Sequence, residues 1–134
     1  MVEVPSWSAL FLGLFLFVCA LGEVRRPGLW RAMVEELGAS PGLQIMTGLC
    51  EMALGVAVYL CNRAAFEPAS PDWLTVLMMA LGGVMVIEAA AITAFTDLLF
   101  PFWRRVLERG AKGWAIFSLL AGAALMAAGL ARLF

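Results

Sequence analysis

Two glutamates lie inside long apolar runs, Glu51 in residues 43–61 and Glu88 in a run from residue 73 to 99 or 100. Read as helices, these runs put Glu51 about 12 Å from the start of its span and Glu88 about 16 Å from the end of its own, at comparable depth in a bilayer. A carboxyl group at that depth needs a partner, and no lysine, arginine or histidine is expected within the hydrocarbon. Two uses are open. The acids can form a shared proton or cation site, with Thr47 one turn from Glu51 and Ser118 on the last apolar run as polar neighbours. Alternatively each can hydrogen-bond to a neighbouring helix or a partner protein, a contact of ~0.6–2 kcal/mol.

Other chemistry is scarce. The chain has no histidine, which removes a Ser/His/Asp triad, a Cys/His zinc site and the commonest haem ligand. Cys19, Cys50 and Cys61 form no C-x-x-C pair and read as small apolar side chains. No glycine-rich loop leads into Lys-Ser/Thr. Neither an enzyme, a cofactor nor a metal is expected. A net charge of -1 gives no basic surface to neutralise phosphates, so nucleic acid is not expected as a partner.

Composition specifies the scaffold that must hold the acids. Of 134 residues, 63% are hydrophobic and 14% charged, and the mean hydropathy of +0.94 belongs in a bilayer. The length accommodates four spans of ~20 residues with little outside them, expected at about 7–24, 43–61, 73–100 and 114–133. The start, Met1 to Pro5, carries no basic region of a cleaved signal, so the first run is expected to remain as an anchor. Trp7, Trp30, Trp73, Trp103 and Trp114 all fall near expected boundaries, as an aromatic belt does.

The spans are joined by a motif that occurs twice, as Glu23-Val-Arg-Arg-Pro27-Gly-Leu-Trp30-Arg31 and as Asp97-Leu-Leu-Phe-Pro101-Phe-Trp103-Arg104-Arg105. Acid, proline and the later glycine pairs Gly48/Gly55 and Gly122/Gly129 are each displaced by 74 positions, and the tryptophan by 73. The reading is a duplicated hairpin: residues 1–62, a linker at 63–72, and residues 73–134. After each corner the apolar residues recur on one helical face, Leu29, Trp30, Met33, Val34 and Leu37 in the first copy and Phe102, Trp103, Val106 and Leu107 in the second. That pattern predicts a short helix lying in the interface.

Glu23 and Asp97 stand where a carboxylate opposes the negative end of a helix dipole, and Glu23 is expected to seek a cation among Arg25, Arg26 and Arg31. The corners are expected to fix the turns; the alternative is a surface for anionic lipid or a cytoplasmic partner. The glycine pairs are expected to let helices pack closely, above all in the small-residue fourth span. In the 74-residue alignment Glu51 meets Leu125 and Glu88 meets Leu14, so the acids are additions to a common scaffold. Seven of the nine basic residues lie in the two corner segments, which places the corners in the cytoplasm and both termini outside.

Val86-Ile87-Glu88 followed by Pro101 and Trp103-Arg104-Arg105, with Gly48-Leu-Cys-Glu51-Met-Ala-Leu-Gly55 in the other half, resembles a family of small two-helix bacterial inner-membrane proteins, some encoded beside the HflK and HflC regulators of a membrane protease. The resemblance implies the bacterial inner membrane and an accessory role. The expected architecture is an all-α membrane protein with four transmembrane helices as two parallel-repeat hairpins, each with a short cytoplasmic interfacial amphipathic helix. The leading functional expectation is an accessory subunit of a larger membrane complex or homo-oligomer, in contact with membrane lipids. The alternative is a small proton- or cation-coupled transporter or channel using Glu51 and Glu88.

Overall fold

The computed structural model describes residues 3–134, so Met1, Val2 and the expected placement of the N-terminus lie outside the described residues. These residues form five helices and no strand: α1 (Glu3–Arg25), α2 (Leu29–Ala39), α3 (Pro41–Ala65), α4 (Trp73–Ala94) and α5 (Thr96–Leu133). All but α2 are long and apolar enough to cross a membrane.

Local chemistry sets the boundaries. Helix α1 starts upstream of the expected Trp7, with Pro5 in its first turn, where the missing N–H has no bond to lose. At Gly28 the backbone adopts φ 94°, the one left-handed residue among those described, and α2 starts immediately after it. Ser40 alone separates α2 from α3, and its hydroxyl accepts from the Leu43 N–H at 3.3 Å with Pro41 at the first helical position. Helix α3 then continues to Ala65, and the linker shortens to residues 66–72. Asp72 closes it by accepting from the Thr75 N–H (3.3 Å) and hydroxyl (3.1 Å) at the start of α4.

The third span ends earlier than its hydropathy suggests. Helix α4 stops at Ala94, short of Leu99 and Phe100, and Phe95 is non-helical. Thr93 donates to the Ala89 carbonyl at 2.8 Å and Thr96 to that of Ile92, hydroxyl bonds that bend and weaken a helix end. Pro101 therefore lies inside the next helix rather than at a corner. That helix, α5, joins two segments, 96–109 and 111–133, across a non-helical Gly110. The amphipathic stretch expected after the second corner is its first segment.

The close helix pairs do not follow the two expected hairpins. Helix α1 lies along the second segment of α5, and α3 lies along α4. Both seams bring backbone against backbone. A β-carbon added at Gly122 would stand 2.7 Å from the Gly13 carbonyl oxygen and the Phe17 nitrogen, and one at Gly55 would stand 2.9 Å from the Gly82 carbonyl oxygen. Gly48 meets Ala89 and Thr93, and Gly129 meets Ser6 and Leu10, so each of the four glycines sits in a seam. The two pairs meet through Ala9 of α1, Val58 of α3, and Leu74 and Met78 of α4, with Leu12 and Leu125 packed against them. Beside this cluster Asn62 donates to the Ser8 hydroxyl (3.1 Å) and the Val58 carbonyl (2.8 Å).

Candidate functional site

Gly48 and Gly55 stand three residues before and four after Glu51, which puts all three on one face of α3. Because that face is pressed against α4, Glu51 is delivered to the seam half-buried, and there its carboxyl interacts with that of Glu88 within hydrogen-bonding reach. Two acids from separate helices therefore interact across the α3–α4 seam. A carboxyl pair of this kind can hold one proton between two oxygens or present both to a cation.

Glu88 is exposed on the other side of the pair, where it lines a cleft of about 420 Å³. The cleft exists because the cluster at Ala9, Val58, Leu74 and Met78 fills the space between the helix pairs only at one end. Towards α2 the pairs are unfilled, and the walls are Cys19 of α1, Trp30 and Met33 of α2, Ile92 of α4, and Phe100, Trp103, Trp114 and Ser118 of α5. Ser118 thus shares the cleft with Glu88. Thr47 does not: it lines a separate recess with Met33, Glu36 and Leu43.

The corners diverge. Glu23 is 3% exposed and accepts from the backbone N–H of Gly28 (3.1 Å) and of Trp30 (3.3 Å). It binds amides and not the expected arginines, because the chain turns back at Gly28 and brings the open N-terminus of α2 onto the carboxylate. The Trp30 indole N–H donates to the Cys19 carbonyl at 3.1 Å, which orients its ring along the cleft wall. Pro27 precedes this turn, exposed. Arg31 bonds Glu35 at 3.2 Å and Glu108 at 3.3 Å, the second contact tying α2 to the first segment of α5.

In the second corner Asp97 is exposed in the first turn of α5, with no hydrogen bond or ion pair among the described residues. Phe100 is buried near Gly38, Trp103 meets Trp114 edge-on at 6.3 Å, and Arg104 lines an open recess with Asp97 and Glu35. An ion pair at the opposite end had no signal in the motif. Arg132, from the last turn of α5, bonds Asp72 at 2.6 Å and covers the Trp73 ring at 5.2 Å. Its guanidinium holds the Asp72 carboxyl below the usual carboxylate range. The 60-residue separation hid this contact from any local pattern.

Comparison with protein-family models, with curated proteins and with solved structures returns no match.

Proposed function

We propose that this is a small proton- or cation-handling membrane protein, a transporter or channel, in which Glu51 and Glu88 form the site. The observation that carries the reading is the pairing itself: α3 and α4 bring the two acids together, and Glu88 opens onto the cleft between the helix pairs. An acid that served only as helix glue has no need of a second acid opposite or of an open side. The accessory-subunit reading rests on the small-residue fourth span, the minimal loops and the lack of catalytic groups. Gly122 and Gly129 are taken up inside the chain by α1.

The proposal includes a duplication. In support, the partners of Gly122 and Gly129 in α1 are Gly13, Phe17, Ser6 and Leu10, and those of Gly48 and Gly55 in α4 include Ala89, Thr93, Gly82 and Val86. Each α4 partner lies 76 positions after its α1 counterpart, whereas the glycines of α3 and α5 differ by 74. The second copy is two residues shorter between seam and corner, the region where α4 breaks at Phe95 and α1 runs on. In this register Glu88 corresponds to Leu12 rather than Leu14, and Glu51 to Leu125. Leu12 and Leu125 both pack on the central cluster. One seam is closed with leucines and its counterpart carries the acid pair.

The corner arginines support an orientation with α2 and the first segment of α5 at the cytoplasmic face and both termini outside, and the bacterial inner membrane is what the family resemblance implies. The test is flux. Liposomes containing the full chain should dissipate an imposed pH or cation gradient, and Glu51→Gln or Glu88→Gln should abolish this while the purified variants elute as the wild type does. A wild-type chain that moves nothing and co-purifies stoichiometrically with a larger membrane protein would return the accessory subunit as the better reading.

A further inference from the structure

We propose that the cleft between the helix pairs binds a lipophilic organic cation, with Glu88 as its counter-ion and the rings of Trp30, Phe100, Trp103 and Trp114 as its walls. The inference rests on the reading of Glu51 and Glu88 as a proton or cation site and names the substrate class of that site. Its basis is charge complementarity. Of the side chains that line the cleft, Glu88 alone is charged, and no lysine or arginine is among them. The other charged group that faces Glu88 is Glu51, from α3. Helices α2 and α5 bring aromatic and aliphatic groups with Ser118, and α1 brings Cys19.

This lining discriminates among occupants. An acyl chain would fill the apolar walls and leave a carboxyl group against hydrocarbon, and an anion would meet two acids with no cation to offset them. A small metal ion would find oxygen ligands on one side only, the remaining surroundings being indole, phenyl and aliphatic groups that cannot replace its water. A cation with a bulky apolar body satisfies both parts, its charge against Glu88 and its body against ring faces that attract cations. The volume of about 420 Å³ suits a small organic molecule. Trp30, held by its bond to the Cys19 carbonyl, and Trp103, braced edge-on against Trp114, present fixed rings.

The experiment titrates the purified full-length chain in detergent with tetraphenylphosphonium, read by quenching of tryptophan fluorescence. The expected result is saturable binding that Glu88→Gln weakens roughly tenfold or more and Trp103→Leu weakens several-fold, both variants retaining wild-type helicity and elution. Tetraphenylborate, of the same shape and opposite charge, should give no signal that depends on Glu88. Equal binding of tetraphenylphosphonium by the wild type and Glu88→Gln, or saturable tetraphenylborate binding as tight as that of the cation, would overturn the inference. Intact proton flux with no saturable tetraphenylphosphonium binding would make the cleft a lipid-filled gap, leaving the acid-pair function standing. Loss of both would remove that function as well.

Discussion

Glu23 shows how a single carboxylate can be misread from sequence. Beside Arg25, Arg26 and Arg31 it reads as half of an ion pair, yet it is buried against two amides of α2. The turn that brings those amides to it depends on Gly28 adopting φ 94°, which no charge pattern announces. Glu23→Ala is expected to lower stability by about 1–3 kcal/mol, through loss of a cap and of a charged hydrogen bond to a buried site. Glu23→Gln, which keeps an acceptor oxygen, should lose less; detergent unfolding followed by circular dichroism measures both. Asp72 gives the pH prediction. Its folded pKa lies below the unfolded reference of 3.8, chiefly through the bond from Arg132. The contribution of this contact is therefore complete above that reference and is lost as the pH falls from 3.8 through the lower folded value. Asp72→Asn keeps an N-capping side chain and removes the ion pair, so the variant should be less stable at neutral pH and show a shallower loss of stability in acid. A variant with the wild-type acid profile would show that Arg132 contributes nothing there.

At the level of elements, the four spans were legible because ~20-residue apolar runs have few alternatives in water or lipid. Their exact ends were not. The run through Ile92, Phe95, Leu98 and Phe100 keeps its hydropathy while the helix breaks, and the signal lay in Thr93, Thr96 and Pro101, whose hydroxyls and missing N–H redirect backbone bonds. Glycines were legible as packing residues, and the structure separates those in seams from those in open space. Gly122→Ala places a methyl group against the backbone of α1, with no flexible side chain to give way, and is expected to cost about 1–3 kcal/mol. Gly83→Ala meets nothing within 4 Å and should be neutral or stabilising by up to ~1 kcal/mol through helix propensity. Thermal unfolding of the pair in one detergent provides the comparison, and equal midpoints would remove the close α1–α5 contact from the account.

Which helix packs on which is a property of the whole molecule, and hydropathy does not encode it. In lipid one apolar face is as well solvated as another, so partners are chosen by shape, and the decisive shapes on α1 and α4 are Gly13 and Gly82. Neither belongs to the seven-residue glycine spacing that marked α3 and α5. The same difficulty left a shared site of Glu51 and Glu88 as only one of two open uses: their similar depth followed from counting residues, but their proximity required α3 and α4 to be direct neighbours. The pairing has a physical consequence for the linker at 66–72. Cutting the chain there leaves residues 1–70 with α1 and α3, whose seam partners α5 and α4 both lie in residues 71–134. Each half alone exposes two glycine faces shaped for the other half and has little internal seam to hold it. Co-expressed halves are therefore expected to co-purify in equal amounts from detergent and to restore the flux of the intact chain, while either half alone should aggregate or be degraded. Two halves that fold and run separately would mean that each packs as a self-contained hairpin, and the acid pair, which needs one residue from each, would then be left unformed.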